Sequence, residues 1–385
     1  MSYRVELSHN IASIGEAQWD ALAGDDHPFT RYAFLAALES SGVVSAKTGW
    51  LPMHLSIFDG DQRIAVMPMY QKSHSYGEYV FDWGWADAYH QNGIDYYPKL
   101  LTAIPFSPVT GPRILSQLAT ETLMGLAGPL LSEIIPHICN EQGLSSWHGL
   151  FFTQASHTAL STDTFISRLG TQYHWFNRDF KTFDDFLATF SSRKRKNVKR
   201  ERRKVTEQGI RLSTYEGEAI TPELLRTFFH CYQLTYLKRG QQGYLNLEFF
   251  EKIVNSMPES LVLFIASLDQ QHVACALCFK DSHTLYGRYW GSLDDFDSLH
   301  FETCYYTGID YCIEHDLQRF DPGAQGEHKI QRGFEPIKTW SAHYIAHPGF
   351  KEAVHRFTTE EAELMEERMS DLATLLPFKA DEQLG

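Results

Sequence analysis

Phe320-Asp321-Pro322-Gly323-Ala324-Gln325-Gly326-Glu327-His328-Lys329-Ile330-Gln331-Arg332-Gly333-Phe334 is the stretch from which the fold and the chemistry of this 385-residue chain are best approached. Its glycines allow the backbone to turn sharply and to come close to a ligand. Glu327, His328 and Lys329 supply a carboxylate, an imidazole and an ammonium in succession, which are groups used in proton transfer and anion binding. A solvated surface turn is the alternative explanation of the same residues.

Two upstream clusters of polar and aromatic residues favour a site over a plain turn. His300-Phe301-Glu302-Thr303-Cys304-Tyr305-Tyr306 opens a predicted helix, and Tyr286-Gly287-Arg288-Tyr289-Trp290-Gly291 ends a predicted strand. Clusters of this kind at successive element ends are typical of a site on an α/β scaffold.

The overall composition is that of an ordinary globular protein, and its length predicts about two domains. The net charge of −14 argues against nucleic-acid binding by bulk charge. The 6 cysteines form no regular framework, which predicts reduced thiols in a cytoplasmic protein. The N-terminus has no signal-peptide pattern, and we expect no membrane span because no apolar run approaches the necessary length.

The predicted order of elements is the same in the two halves of the chain: strand, helix, helix, hairpin, strand, helix, strand. The hairpins turn at Asp59-Gly60 and at Asp269-Gln270-Gln271. In the first half we predict a strand over 78–83, an aromatic loop over 82–90, and a helical segment over 114–142 that breaks near Gly128-Pro129. The repeat indicates a duplicated α/β domain, with the bounds 1–178 and 179–385.

A basic helix over 191–208 opens the second predicted domain. Nine of the residues 193–204 are Lys or Arg. Clustered cations of this kind favour contact with a polyphosphate or an RNA, for which Arg195 and Lys199 are candidates. The alternative is a solvated helix that pairs with the acidic C-terminal segment over 350–376.

Two other motifs each have a functional and a structural interpretation. Ser107-Pro108-Val109-Thr110-Gly111-Pro112-Arg113 precedes a predicted helix, so Thr110, Gly111 and Arg113 are candidates to bind a pyrophosphate at a helix start. The alternative is a proline-stiffened loop. Cys275 and Cys278 resemble half of a zinc site, but they lie in a predicted strand without a second pair, and we predict no metal.

Aromatic and polar residues of the first half are candidates to wall a second cleft. Asp82, Trp83 and Asp87 are the residues assigned to substrate binding there, and the alternative is a loop anchored to the core by its tryptophans. His174 lies in a predicted strand just before the domain boundary. Since alternate strand residues face opposite sides, His174 belongs either to the core or to the site.

The 300–306, 320–334 and 107–113 phrases resemble the FemAB-like family of predicted N-acyltransferases, a bacterial branch labelled as peptidoglycan biosynthesis or recognition proteins. The resemblance covers nearly the whole chain, and the basic helix is similar to one in FemX-type aminoacyltransferases. It implies two tandem GNAT-like domains, with mixed sheets flanked by helices. This chain lacks the long coiled-coil insertion that some peptidoglycan-bridge enzymes carry, so their tRNA contacts do not transfer directly.

The resulting prediction is an N-acyl or aminoacyl transferase that acts on an amine, with a cell-wall precursor as a candidate acceptor and acyl-CoA or aminoacyl-tRNA as the donor. Such a reaction needs a base, hydrogen-bond donors for the oxyanion and residues that bind anionic groups. The candidates for base are Glu327 or His328 first and Glu302 or His300 second, with Tyr305 as proton donor to the leaving group. The remaining residues assigned to substrate binding in this half are Arg288, Trp290, Tyr306, Gln325, Lys329 and Arg332.

Two other classes of function stay open at this level. One is a binding module without chemistry, which holds a phosphorylated or glycan ligand on a duplicated GNAT scaffold. The other is an RNA-associated protein that acts through the basic helix. Convergence of Glu302, Glu327 and His328 on one cavity would favour the enzyme.

Overall fold

The computed structural model describes residues 3–238, 240–324 and 326–379. The chain folds into two compact units. The first comprises Met1–Thr171 and Lys338–Glu367, and the second comprises Gln172–Ile337 and Arg368–Gly385. The predicted bounds 1–178 and 179–385 do not include this return of the chain to the first unit at Lys338. The domain assignments made over those bounds stay a prediction.

The first unit combines a small antiparallel sheet with a larger mixed sheet. Its elements before the crossing to the second unit are β1 (Tyr3–Ser8), α1 (Glu16–Ala23), α2 (Tyr32–Ser40), β2 (Trp50–Pro52), β3 (His54–Asp59), β4 (Gln62–Met67), β5 (Tyr70–Lys72), α3 (Trp83–Gln91), β6 (Lys99–Thr102), α4 (Thr120–Glu141), β7 (Ser146–Phe152) and α5 (Gln154–Ala159). The small sheet has the order β1-β3-β4, and the larger one includes β2-β5-β6-β7 in that order. The predicted hairpin of β3 and β4 is confirmed.

The second unit begins inside β8 (Ile166–Phe176), which the chain follows from one unit into the other. The elements that follow are α6 (Phe183–Ala188), α7 (Ser192–Glu207), β9 (Arg211–Glu216), α8 (Pro222–Leu237), α9 (Leu247–Ser256), β10 (Leu261–Leu268), β11 (Gln271–Lys280), β12 (Thr284–Ser292), α10 (Leu299–Phe301), a π-helical turn (Glu302–Tyr306), α11 (Thr307–Glu314) and β13 (Arg319–Asp321). The last two elements of the chain, β14 (Glu335–Ile345) and α12 (Pro348–Ala373), belong mainly to the first unit.

The sheet of the second unit has the strand order β8-β13-β12-β11-β10-β9. β12 and β13 are parallel, but they pair only from Thr284 with Arg319 to Tyr286 with Asp321. β12 then continues to Ser292 while the chain leaves β13 at Asp321. Because the two strands separate at this point, backbone and side chains beyond the last pair are free to form a site.

Local signals explain why the elements of the second unit follow the prediction so closely. Thr221 caps α8 by accepting a hydrogen bond from the Leu224 N–H, and Pro222 occupies the first helical position. The turn between β10 and β11 has positive φ at Asp269 and Gln270. Both residues belong to the loop predicted for this hairpin, which is confirmed.

Three predictions of local structure are wrong. Residues 83–91 form helix α3 instead of an aromatic loop, and 78–82 form no strand. The helix is favoured because Trp85 and Tyr89, one turn apart, are both buried on one face. α4 continues through Pro129 and Pro136 without the predicted break.

Helix α4 is also the one described helix that is long and apolar enough, by length and composition, to cross a membrane. Leu131, Ile135 and Ile138 of this helix are buried in the core of the first unit. A core helix passes the same length and composition test, so the observation is weak evidence for a membrane span. The expectation that no apolar run approaches this length was therefore too strong.

Candidate functional site

A small cavity opens in the second unit where β12 and β13 separate. Its volume is about 90 Å³. It is lined by residues of β11, β12, α10, the π-helical turn and the segment after β13: Ala276, Cys278, Gly287, Arg288, Tyr289, Trp290, His300, Cys304, Tyr305 and Pro322. The structure thus brings four predicted site residues together around one cavity: Arg288, Trp290, His300 and Tyr305.

A buried ion pair holds one wall of this cavity. Arg288 Nη2 donates to Asp321 Oδ2 at 2.7 Å, and the two side chains are 2% and 1% exposed. Asp321 Oδ1 also accepts from the Gly323 N–H at 2.9 Å. Burial acts to raise the pKa of Asp321, but Arg288 and His174 outweigh it and hold the pKa well below its usual range. Asp321 is therefore a carboxylate, and it fixes both Arg288 and the turn after β13.

His174 and Lys329 belong to the surroundings of the same carboxylate. His174 Nε2 lies 3.6 Å from Asp321 Oδ1, and burial lowers the pKa of His174 to about 4. Lys329 Nζ donates to the Gly323 carbonyl at 2.7 Å and to the Pro322 carbonyl at 3.3 Å. Burial also lowers the pKa of Lys329 to about 8. Neither side chain lines the cavity, so in this structure both shape the turn after β13.

Three groups suited to proton transfer lie close together, and two of them, His300 and Tyr305, line the cavity. The Tyr305 hydroxyl and His328 Nε2 are 2.8 Å apart. The ring of His300 makes an edge contact with Tyr305, with ring centroids 5.4 Å apart. Burial raises the pKa of Tyr305, and burial followed by Arg332 lowers the pKa of His328. Near neutral pH the pair is therefore a phenol beside an uncharged imidazole.

Helix α7 holds the π-helical turn in place through a second set of charged residues. Arg202 donates to both oxygens of Glu302, at 2.9 Å from Nη2 to the nearer one, and to Asp310. Arg332 Nη2 donates to Glu201 at 2.8 Å, and the Tyr306 hydroxyl donates to the same carboxylate. Glu302, Tyr306 and Arg332 thus act on the shape of the site through α7.

Glu327 lies apart from the groups around the cavity. Its side chain is 52% exposed and forms an ion pair with Arg368 at the surface of the second unit. Glu327, a first candidate for the base, therefore lies in solvent, because the short 3-10 helix over Glu327–Arg332 turns it outward while His328 contacts Tyr305. Convergence of Glu302, Glu327 and His328 on one cavity does not occur.

One face of α7 exposes a ridge of cations. Val198, Glu201, Arg202 and Val205 lie on the face that packs against the second unit or pairs with it. The opposite face presents exposed or partly exposed residues of the basic run: Arg193, Arg195, Lys196, Lys199, Arg200 and Arg203. Lys199 pairs with Asp184 at 2.7 Å. Within the residues that the structure describes, Arg195 has no acidic partner.

The candidates in the first unit separate into buried and exposed residues. Asp82 is buried and accepts hydrogen bonds from Lys99 and from the Tyr96 hydroxyl. Trp83 and Asp87 lie on the exposed side of α3. The aromatic stretch therefore contains one residue of a buried charge network and two surface residues.

The pyrophosphate hypothesis for Thr110, Gly111 and Arg113 loses the feature on which it rests. No helix begins directly after Arg113, since α4 starts only at Thr120 and Leu115 forms a β-bridge with Val66. Arg113 is fully buried, and its guanidinium donates to the carbonyls of Leu150, Pro112 and Val109. It is an internal brace for the loop.

Gln325 lies outside the described residues. Among those described, no group of three or more His, Cys, Asp or Glu side chains could hold a metal ion. Cys275 and Cys278 are buried in β11.

Two residues that organise the structure, Asp321 and Lys99, were not predicted from the sequence. Asp321 is the acceptor for Arg288, and its position directly after an apolar strand residue and before Pro322-Gly323 was the available signal. The buried ammonium of Lys99 donates hydrogen bonds to the side chains of Ser75, Glu78 and Asp82. Nothing in the local sequence distinguishes Lys99 from a surface lysine.

Comparisons with known proteins agree on the fold and on the family. The profile of the FemAB-like family, described as peptidoglycan biosynthesis/recognition, matches residues 10–380. Among solved structures, FemX is 13% identical, with 91% of this chain and 99% of that chain covered and a TM-score of 0.53. A conserved protein of unknown function from Bacteroides thetaiotaomicron is 11% identical, with 89% and 100% covered and a TM-score of 0.51. A search of curated sequences found no match. The predicted mixed α/β fold, with large sheets flanked by helices, is confirmed.

Proposed function

Because this chain belongs to the FemAB-like family, we propose that it is an N-acyl or aminoacyl transferase whose acceptor is an amine of a cell-wall precursor. The donor carries its acyl group as a thioester of CoA or as an ester of tRNA. The cytoplasmic location expected from the reduced cysteines belongs to the same proposal.

The cavity at the separation of β12 and β13 is the observation that carries this proposal. It places His300 and Tyr305 together beside a wall that is held by the buried pair of Arg288 and Asp321. An imidazole is a suitable base for an amine nucleophile, and a phenol that keeps its proton at neutral pH can donate it to a leaving group. A volume of about 90 Å³ suits the reacting groups, with the rest of both substrates outside.

The proposed reaction is a direct transfer without a covalent enzyme intermediate. His300 takes a proton from the acceptor amine, and the amine nitrogen attacks the acyl carbonyl carbon. The new C–N bond forms as the C–S bond of a thioester or the C–O bond of an ester breaks. Tyr305 donates its proton to the departing sulfur or oxygen, and the proton held by His300 restores the phenol afterwards. The hydrogen bond between the Tyr305 hydroxyl and His328 Nε2 fixes the orientation of the hydroxyl.

The exposed cations of α7 are proposed to hold the phosphates of the donor. A helix rises about 1.5 Å per residue, so Arg195, Lys199 and Arg203 place cations at intervals of roughly 6 Å. This arrangement suits a row of phosphates, and each contact releases counterions. The CoA phosphates and a tRNA backbone both satisfy this requirement.

The test uses the two adjacent tyrosines as a matched pair. Each of Tyr305→Phe and Tyr306→Phe removes one buried hydroxyl, but only Tyr305 lines the cavity, while Tyr306 bonds to Glu201. Transfer from acetyl-CoA or aminoacyl-tRNA to a lysine-containing, nucleotide-linked muropeptide is followed by mass spectrometry. We expect Tyr305→Phe to lower kcat by about 10²-fold and Tyr306→Phe by much less.

Two results would overturn the proposal. Equal activity of the two variants would remove Tyr305 from the chemistry. Tight donor and acceptor binding without any product from the unaltered protein would instead favour the alternative of a binding module on the same scaffold.

A further inference from the structure

The first unit exposes an unusual group of aromatic side chains over residues 76–83. Tyr76 is 57% exposed, Phe81 is 54% exposed and Trp83 is 39% exposed. The rings of Tyr76 and Trp83 are in edge contact, with their centroids 5.1 Å apart. Exposed aromatic side chains that lie together mark sites of interaction, because leaving them in water forfeits the gain from burial.

The loop that carries these rings is held rigidly from beneath. Lys99 on β6 donates to Ser75 Oγ and to Glu78 at 2.8 Å each, and to Asp82. Lys99, Glu78 and Asp82 are all buried. Three side chains of one loop bind the same internal ammonium, so the loop has a defined conformation. Its exposed rings are therefore already positioned before a ligand binds.

A carboxylate lies beside the aromatic surface. Trp83 and Asp87 are four residues apart on α3, so they lie on the same face of the helix. Both are exposed, and Asp87 makes no hydrogen bond or ion pair with any residue in the described part of the chain. The face thus offers a flat apolar ring with a hydrogen-bond acceptor at its edge.

We propose that Tyr76, Trp83 and Asp87 form a glycan-binding surface on the first unit, separate from the transfer reaction. A hexopyranose ring has one face of C–H groups and a rim of hydroxyls. The C–H face packs on Trp83 and Tyr76, and a rim hydroxyl donates to the Asp87 carboxylate. A nucleic acid is a poorer match, because a free carboxylate repels phosphates. An aliphatic protein surface would leave Asp87 without a donor.

The proposal is tested by sugar binding, which needs no turnover. Tryptophan fluorescence and calorimetry follow the titration of the full-length protein with chitotetraose and with soluble, uncrosslinked peptidoglycan glycan strands. We expect saturable binding that weakens about tenfold in each of Trp83→Ala, Tyr76→Ala and Asp87→Ala. Tyr244→Ala removes an aromatic ring of comparable exposure from the second unit and serves as the matched control.

The outcomes separate this proposal from the transferase function. All four substitutions are at exposed positions, so melting temperatures within about 2 °C of the unaltered protein show that each variant is folded. The proposal is overturned if the unaltered protein binds neither glycan saturably. It is also overturned if all four variants bind the glycans equally well. Loss of transfer in Tyr305→Phe with unchanged glycan binding would support both functions, because the two readouts depend on different residues.

Discussion

Replacing Asp321 by Asn isolates the electrostatic element that shapes the candidate site. The amide has nearly the shape of the carboxylate, so packing is retained while the charge opposite Arg288 is removed. The Arg288 guanidinium would then be buried beside a neutral group, with the pair's side chains only 2% and 1% exposed in the native protein. The Gly323 N–H would lose a charged acceptor as well.

The magnitude follows from the depth of the pair. Removing one partner of a buried ion pair costs about 3–5 kcal/mol of unfolding free energy. At about 2–4 °C per kcal/mol, the melting temperature should fall by roughly 6–20 °C. The exposed pair of Glu327 and Arg368 is the control, since its side chains are 52% and 59% exposed. Glu327→Gln should change stability by less than about 1 kcal/mol.

Urea unfolding followed by circular dichroism measures both variants under the same conditions. The double variant, Asp321→Asn with Arg288→Met, should regain part of the lost stability, because it removes the unpaired buried charge. A loss below about 1 kcal/mol in Asp321→Asn would refute the reasoning, as it would show that water or rearrangement compensates Arg288.

Three further predictions rest on buried or exposed charges. Burial lowers the pKa of His148 to about 3 and of His174 to about 4, below the ordinary 6.5, so the unfolded chain binds more protons between pH 6.5 and 4. The unfolding free energy should therefore fall as pH decreases through this window, by about 2 kcal/mol per histidine from pH 7 to pH 5. Urea titrations at several pH values should show a shallower decline of the unfolding free energy in His174→Gln than in the unaltered protein. Replacing Arg195 and Lys199 together by Gln should weaken donor binding and reduce the slope of log Kd against log salt by up to about 2, as measured by calorimetry at several ionic strengths. Lys329→Met should lower the melting temperature, because two backbone carbonyls lose their donor, and an unchanged value in a thermal scan would contradict that role.

Local signals made much of the second unit predictable. The cap at Thr221, the hairpin at Asp269-Gln270 and the alternation of apolar residues act over a few neighbours, so the elements follow from short stretches. The proximity of Arg288, His300 and Tyr305 could be predicted from the sequence for a related reason. They lie at the ends of successive elements, and the separation of β12 from β13 brings such ends to one place.

The partners of charged groups could not be predicted, because burial decides them and burial is a property of the whole fold. Arg113 was assigned to a ligand, yet it is an internal donor to three carbonyls. Glu327 was assigned to catalysis, yet a turn of 3-10 helix places it in solvent while the adjacent His328 faces Tyr305. The side chains of these two adjacent residues point in different directions. Sequence periodicity does not predict the direction of a side chain in a short irregular segment.

The contrast between buried and exposed charges also indicates where function is to be sought. Arg288, Asp321 and Lys99 make their ion pairs inside the protein, so they shape the regions around them. Asp87 is exposed and Arg195 is partly exposed, so a ligand can reach both side chains. If binding follows this division, substitutions of the first group should change stability and the geometry of the reaction together. Substitutions of the second should change affinity alone, and that separation is measurable with the same variants.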